Sequence, residues 1–301
     1  MQLRLIFWFL ALFASNSFIY AQYSFHREKL NYFNTETNRK KTEKNEVDRR
    51  GLTFGLNMGV FKGSSEQATY YNGSDRNENS IKYFINNTYF YNEIKQRLNQ
   101  RDFTLYSVPS SMSYDMSMMI GFYARYNYNN TTGIFVQFNF SKLNTQNQFA
   151  LKVDSVTFTS EPALKYFPVY GQEERTYIDL GLYKDFYFGE KTNFWVEGGF
   201  SFNNTIVKKN GIMVGDLDLS IINVYGNRPY VPNTGMQPYD IRQGGIGFGF
   251  FGGAGLNLNF NESISVDPGF HIYYHNSALM YYEKFGLNYS IFVRIIMRNF
   301  L

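Results

Sequence analysis

His271, Tyr273, His275 and Ser277 occupy alternate positions near the C-terminal end of the chain. A serine two residues from a histidine on one face could pair a nucleophile with a general base. That chemistry needs a third group to orient the base and a nucleophile raised on a sharp turn. No nucleophile elbow is present, and the sequence fixes no Asp or Glu beside the pair. His271 and His275 as metal ligands would need a third donor, and none stands at diagnostic spacing. The chain has no cysteine, so thiolate nucleophiles, disulfides and Cys-held metals are excluded. Gly245-Ile-Gly247-Phe-Gly249 is glycine-dense like a phosphate-cradling loop, but it lies inside an alternating segment with no helical pattern after it. Its glycines make room for neighbouring side chains or let a strand bend. The sequence predicts no catalytic residue, no cofactor and no metal.

The other candidates are charged. Arg125, Asp179, Asp185, Glu197, Asp267, His271, Arg294 and Arg298 all fall on the polar parity of segments whose other parity is apolar. Gathered inside a narrow barrel, such groups must pair or hold water. A structural network is one expectation, and the lining of a conducting path is the other.

The elements that carry them are strands. From Lys284 to Phe300, Phe285, Leu287, Tyr289, Ile291, Val293, Ile295 and Met297 alternate with residues that include Asn288, Ser290, Arg294 and Arg298. Period-two alternation is a strand with one apolar and one polar face. Ordinary strands run about five or six residues, whereas one crossing a bilayer needs about nine to eleven. The same pattern recurs at Gly51–Phe61, Tyr114–Tyr128, from Ile134 to Ser141, at Thr176–Phe188, from Phe194 to Asn203, at Gly244–Phe260 and from Ile264 to Tyr274. That makes eight strands, or ten if the stretches Val153–Phe158 and Ala163–Tyr170 also cross. An even count returns both ends to one side. Short turns at Asn129–Thr132, Gly189–Thr192 and Asn261–Glu262 belong to that side.

Composition agrees. Aromatics make up 20% of the 301 residues, charged residues only 18%, and no internal apolar run is long enough for a membrane-crossing helix. A secreted β-sandwich is the competing class. The expected fold is all-β, a transmembrane antiparallel up-and-down barrel with long extracellular loops at 62–113, 144–174 and 207–243. Within the first loop Phe90, Ile94 and Leu98 at four-residue spacing, with Glu93 four before Arg97, predict a short helix. Residues 1–21 read as a secretory signal, with Arg4 before an apolar core and Ile19-Tyr20-Ala21 ahead of the cut. Residues 22–50 read as a polar periplasmic leader, with a docking peptide or a lumen plug as its functional form. Residues 51–301 form the barrel. The formal charge of +4 carries no dense Lys/Arg stripe, so nucleic acid is not an expected partner.

Thr176-Tyr-Ile-Asp-Leu-Gly-Leu-Tyr-Lys-Asp-Phe-Tyr-Phe-Gly189, followed by Phe194-Trp-Val-Glu-Gly-Gly-Phe200, resembles the central hairpin of small outer-membrane β-barrel proteins of Bacteroidetes, the porin-like group. The likeness covers about thirty residues, and Gly181 stands where that group often has proline. It implies the fold and the outer membrane as location, and brings no catalytic residue.

The expected partners are outer-membrane lipid and envelope proteins, the latter met through the three loops or the leader. The expected role is surface binding or membership of a secretion, motility or uptake assembly. A narrow passive pore and a rim-sited lipid or peptide hydrolase are the alternatives.

Overall fold

In the computed structural model, residues 49–77, 79–154, 163–187, 192–222, 243–261, 263–279 and 282–298 are described. The signal segment 1–21 and all but the last two residues of the leader lie outside them. In chain order the elements are β1 (Gly51–Lys62), α1 (Ser65–Ala68), a 3-10 turn (Thr69–Asn72), α2 (Ile81–Ile85), α3 (Thr88–Arg97), β2 (Phe103–Ser107), β3 (Ser117–Asn127), β4 (Thr132–Val153), β5 (Ala163–Tyr187), β6 (Thr192–Val214), β7 (Leu217–Ser220), β8 (Ile246–Asn259), β9 (Ile264–Asn276) and β10 (Phe285–Arg298).

Eight of these strands pair antiparallel in a ring: β1, β3, β4, β5, β6, β8, β9, β10 and back to β1. The alternation explains the ring. Leu52, Phe54, Leu56, Met58 and Val60 of β1 are exposed, as are Leu287, Tyr289, Ile291, Val293 and Ile295 of β10, while Thr53, Asn57, Ser290 and Arg294 between them are buried. Each strand turns its apolar side out and its polar side in. A contiguous apolar surface of this extent is what hydrocarbon, and not water, would face. The fold is thus a transmembrane β-barrel of eight strands.

Residues 144–174, expected as an external loop or a hairpin rising above the membrane, continue β4 and β5 as one hairpin and add no crossing strands among the described residues; 155–162 lie outside them. β4 has 22 residues and β5 has 25. Their ladder runs unbroken from Thr132↔Lys184 to Val153↔Ala163. Both are at least twice the length that a tilted span needs, about nine to eleven residues, so the hairpin rises beyond the lipid. The pattern that marks a spanning strand reverses on the way. Ile134, Phe138 and Phe140 point out, but past Ser141 the apolar side chains are Leu143, Phe149, Leu151 and Val153, and these are buried. Pro168 pairs with Gln148 of β4 and lies beyond the last described β5–β6 rung, Val169↔Ile212, where β5 is an edge among the described residues and proline is tolerated.

Of residues 207–243, expected as loop, the described part is mostly strand, and 223–242 lie outside the described residues. β6 extends to Val214, and β7 folds back onto it. Asp115, inside the segment Tyr114–Tyr128 expected as strand, lies before β3 and is exposed.

Residues 62–113, expected as an external loop, are folded. The helix expected from Phe90, Ile94 and Leu98 is α3, and all three are buried. Side chains of Ser64, Ser80 and Asn87 cap α1, α2 and α3 by accepting from the backbone N–H of Glu66, Tyr83 and Tyr89. Arg97 pairs with Asp216, at 3.0 Å, beyond the end of β6. Tyr91 of α3 stacks on Phe103 of β2, with ring centroids 4.5 Å apart. The strand order there is β2-β4-β5-β6-β7, and α3 contacts its edge strand β2 through Tyr91 and the β6–β7 turn through Arg97. The barrel carries a small α/β head.

Candidate functional site

The site is the barrel interior, and it has three storeys. In the middle, Glu197 of β6 is the hub. Arg294 Nη2 of β10 donates to Glu197 Oε1 at 2.7 Å, and Nη1 donates to Oε2 at 3.2 Å. His271 Nε2 of β9 lies 2.6 Å from Oε1. The other His271 nitrogen, Nδ1, lies 3.0 Å from the Tyr273 hydroxyl, which donates to Asp179 at 3.3 Å. Gln137 closes the circuit, donating to Asp179 at 2.7 Å and accepting from Arg294 at 3.0 Å. The Arg294 guanidinium also lies 3.6 Å from the Tyr123 ring centre. Four of the eight residues expected in the lumen, Asp179, Glu197, His271 and Arg294, therefore meet in one fully buried network.

The other four sit toward the short-turn end. Asp267 accepts from Asn257 at 2.6 Å and from Ser265 at 3.2 Å. Arg298 donates to Ser265 of that group at 3.1 Å and, separately, to Asn259 at 2.8 Å. Asp185 accepts from Tyr183 at 2.8 Å and faces Arg49 at 3.9 Å. Arg125 stacks on Tyr183 at 3.7 Å, and among the described residues its Nε and Nη1 have no hydrogen-bond acceptor. Large rings fill the space between the charges: Trp195, Tyr123, Tyr183, Phe135, Phe251 and Phe292 are all buried. An eight-stranded barrel is wide enough for side chains to fill and little more.

The upper storey has no counterpart among the residues singled out by sequence. Arg175 Nε donates to Glu173 at 2.5 Å, both fully buried on β5. Arg175 Nη1 donates to Gln67 Oε1 at 2.8 Å, and Nη2 donates to the Tyr114 hydroxyl at 3.2 Å. Gln67 Nε2 donates to the His275 carbonyl at 2.7 Å, and the Tyr71 hydroxyl donates to Glu173 at 2.5 Å. Burial, reinforced by the Glu173 charge, holds the Tyr71 phenol well above its ordinary value, so it stays a donor. Gln67 and Tyr71 belong to α1 and the 3-10 turn, so this segment stands in the barrel mouth as a stopper. The leader, for which a plug role is expected, lies outside the described residues except for its last two; this stopper is formed by residues between Ser64 and Asn72. Their signal in the sequence is a serine cap ahead of a short apolar stretch, with no periodicity to say where it packs.

Ser277 does not meet a base. Its hydroxyl is buried and has no hydrogen-bond partner among the described residues; His275 Nδ1 instead lies 3.5 Å from Asn203. The nucleophile–base contact that hydrolysis needs is not made.

No family model matches the chain, and no curated protein matches it. Solved structures do. Neisserial surface protein A is 10% identical over 83% of this chain and 97% of its own, with a TM-score of 0.43. OprG of Pseudomonas aeruginosa is 11% identical over 83% and 97%, at 0.40. Ail, the attachment invasion locus protein of Yersinia pestis, is 11% identical over 82% and 97%, at 0.30. The likeness to these outer-membrane proteins is one of architecture alone.

Proposed function

We propose that this is a non-enzymatic outer-membrane barrel that works through its external head, in surface binding or as a subunit of an envelope assembly, with its lumen closed. In this reading residues 1–21 direct export, residues 22–50 are a periplasmic leader, and the resemblance of the hairpin from Thr176 supports membership of the Bacteroidetes porin-like group. The observation that carries it is the filled interior: the Glu197–Arg294–His271 network, the rings around it and the Gln67–Arg175 stopper fill the lumen, and the charges of Glu197, Arg294, Glu173 and Arg175 are spent on protein partners. A conducting path would need them solvated. Chain length supports the same view, because the upper halves of β4, β5 and β6 build the head and have no part in crossing lipid.

Planar-bilayer recording tests it. The purified protein should give no steady single-channel currents, and replacing residues 144–172 with a short turn should leave the barrel folded while releasing the envelope proteins that co-purify in mild detergent. Steady currents from the intact protein would install the pore reading instead.

A further inference from the structure

A cleft of about 650 Å³ opens beside the stopper. One wall is the turn after the 3-10 segment, another is Val108–Pro109–Ser110 after β2, and the third is Tyr282 and Lys284 before β10. The walls are braced. Asn72 donates to the Pro109 carbonyl at 2.9 Å, Asn77 donates to the Thr69 and Tyr70 carbonyls at 3.0 Å each, and the Tyr282 hydroxyl donates to the Glu66 carbonyl at 2.8 Å. A cleft held this way binds without first having to order itself.

Its charges are not used by the fold. Arg76 and Lys284 line the cleft and are exposed, and neither has a carboxylate within ion-pair distance among the described residues. The Lys284 ammonium is held 4.9 Å from the Tyr282 ring centre. Among the described lining residues Asp75 is the one acidic side chain, so Arg76 and Lys284 leave these residues net cationic. Ser74 and Ser110 add hydroxyls, and Val108 with Pro109 adds an apolar strip.

We propose that this cleft binds a short acidic saccharide. The two cations would take its carboxylate, phosphate or sulfate, as charge-assisted bonds favour. The serines and Asp75 would take ring hydroxyls, and the C–H face of a sugar would lie on Val108 and Pro109. The volume suits a ligand larger than a bare anion. A nucleotide fits less well, since among the described lining residues there is one ring, Tyr282, and it already holds Lys284. The proposal deepens the surface-binding reading and rests on it.

The mature protein in detergent is titrated calorimetrically with trigalacturonate, and with maltotriose as the neutral control. Trigalacturonate should bind, maltotriose should not, and the double variant R76Q/K284Q should weaken trigalacturonate by at least about tenfold. Failure of the wild type to bind trigalacturonate, equal binding of maltotriose, or an unchanged double variant would each overturn the proposal. If the double variant also melts lower, R76K/K284R decides: retained binding upholds the site, and equal loss removes it. Vesicles carrying a galacturonate-headed glycolipid separate the sources. Binding to free sugar alone assigns a soluble glycan, and binding to both assigns a lipid-linked one. A silent bilayer together with failed titrations would sink this site and leave the closed-barrel function standing.

Discussion

Two carboxylate–guanidinium pairs are buried in this barrel, and they tie different things together. Glu197 and Arg294 come from β6 and β10, so their 2.7 Å contact reaches across the lumen, wall to wall, with His271 of β9 as a third wall. Glu173 and Arg175 are neighbours on one face of β5, and their remaining hydrogen-bonding capacity goes to Gln67, Tyr71 and Tyr114. The middle pair braces the ring; the upper pair holds the stopper. Burying a charge costs several kcal/mol unless it is paired, and the penalty appears when one partner is removed. Which part of the molecule then loosens depends on what the pair was tying.

The largest effect should come from Arg294→Met. Glu197 would keep His271 but lose its guanidinium, and the barrel should lose about 3–5 kcal/mol, read as a lower melting midpoint in detergent. A loss below about 1 kcal/mol would mean that water reaches Glu197 freely, and the sealed middle storey would be wrong. Arg175→Met removes the same chemistry one storey up, yet it should act locally. The amides of residues 64–72 should exchange at least about tenfold faster while the barrel melt moves less than in Arg294→Met. If both variants lowered the melt equally, stopper and ring would be one cooperative unit, and the contrast between the two pairs would fail.

The same contrast decides what is legible in the sequence. Asp179, Glu197, His271 and Arg294 stand out because their outward neighbours, such as Leu180, Val196, Ile272 and Val293, are apolar. Glu173 and Arg175 stand on the same parity of the same strand as Asp179, but their neighbours Gln172 and Glu174 are polar. Above the lipid the outward face meets water, so the two-residue contrast vanishes while the backbone ladder continues. That is why the alternation predicts an end to the third crossing strand near Ser141 and a start to the fourth only at Thr176. The stopper is illegible for another reason. A short helix fixed by Gln67 and Tyr71 has no long apolar stripe, and only the fold brings β5 to it.

Glycine substitutions should give smaller effects that divide the same way. A Cβ on Gly171 would lie 2.2 Å from the Tyr71 ring, and one on Gly253 would lie 2.0 Å from His271 Cδ2. Each glycine is there so that a ring can lie against the backbone. Gly253→Val should lower the barrel melt by about 1–3 kcal/mol. Gly171→Val, by displacing Tyr71, should raise exchange in 64–72 and spare the melt. The reverse assignment would put Tyr71 in the brace and not in the stopper.

The smallest effect belongs to the head, where ionic contacts face water. Lys95 Nζ donates to Asp102 Oδ1 at 2.6 Å, and the Tyr91 hydroxyl donates to the same oxygen at 2.8 Å. The lysine hydrogen bond, with help from Tyr91, holds the Asp102 carboxyl below its ordinary 3.8, and the same bond raises Lys95 above 10.5. A lowered acid contributes stability above its unfolded value and loses it as pH falls through the folded one. A raised lysine contributes below its unfolded value and loses it as pH rises through the folded one. The contact should therefore be constant between those limits. Asp102→Asn should speed amide exchange at the α3–β2 junction by only about twofold near neutral pH, since exposed pairs are weak. That difference should fade as pH is taken below 3.8, where wild-type Asp102 becomes neutral too, and it should shrink in high salt. A difference that survived acid unchanged would assign the effect to the Tyr91–Phe103 stack beside it, leaving the charge idle and the head held by packing alone.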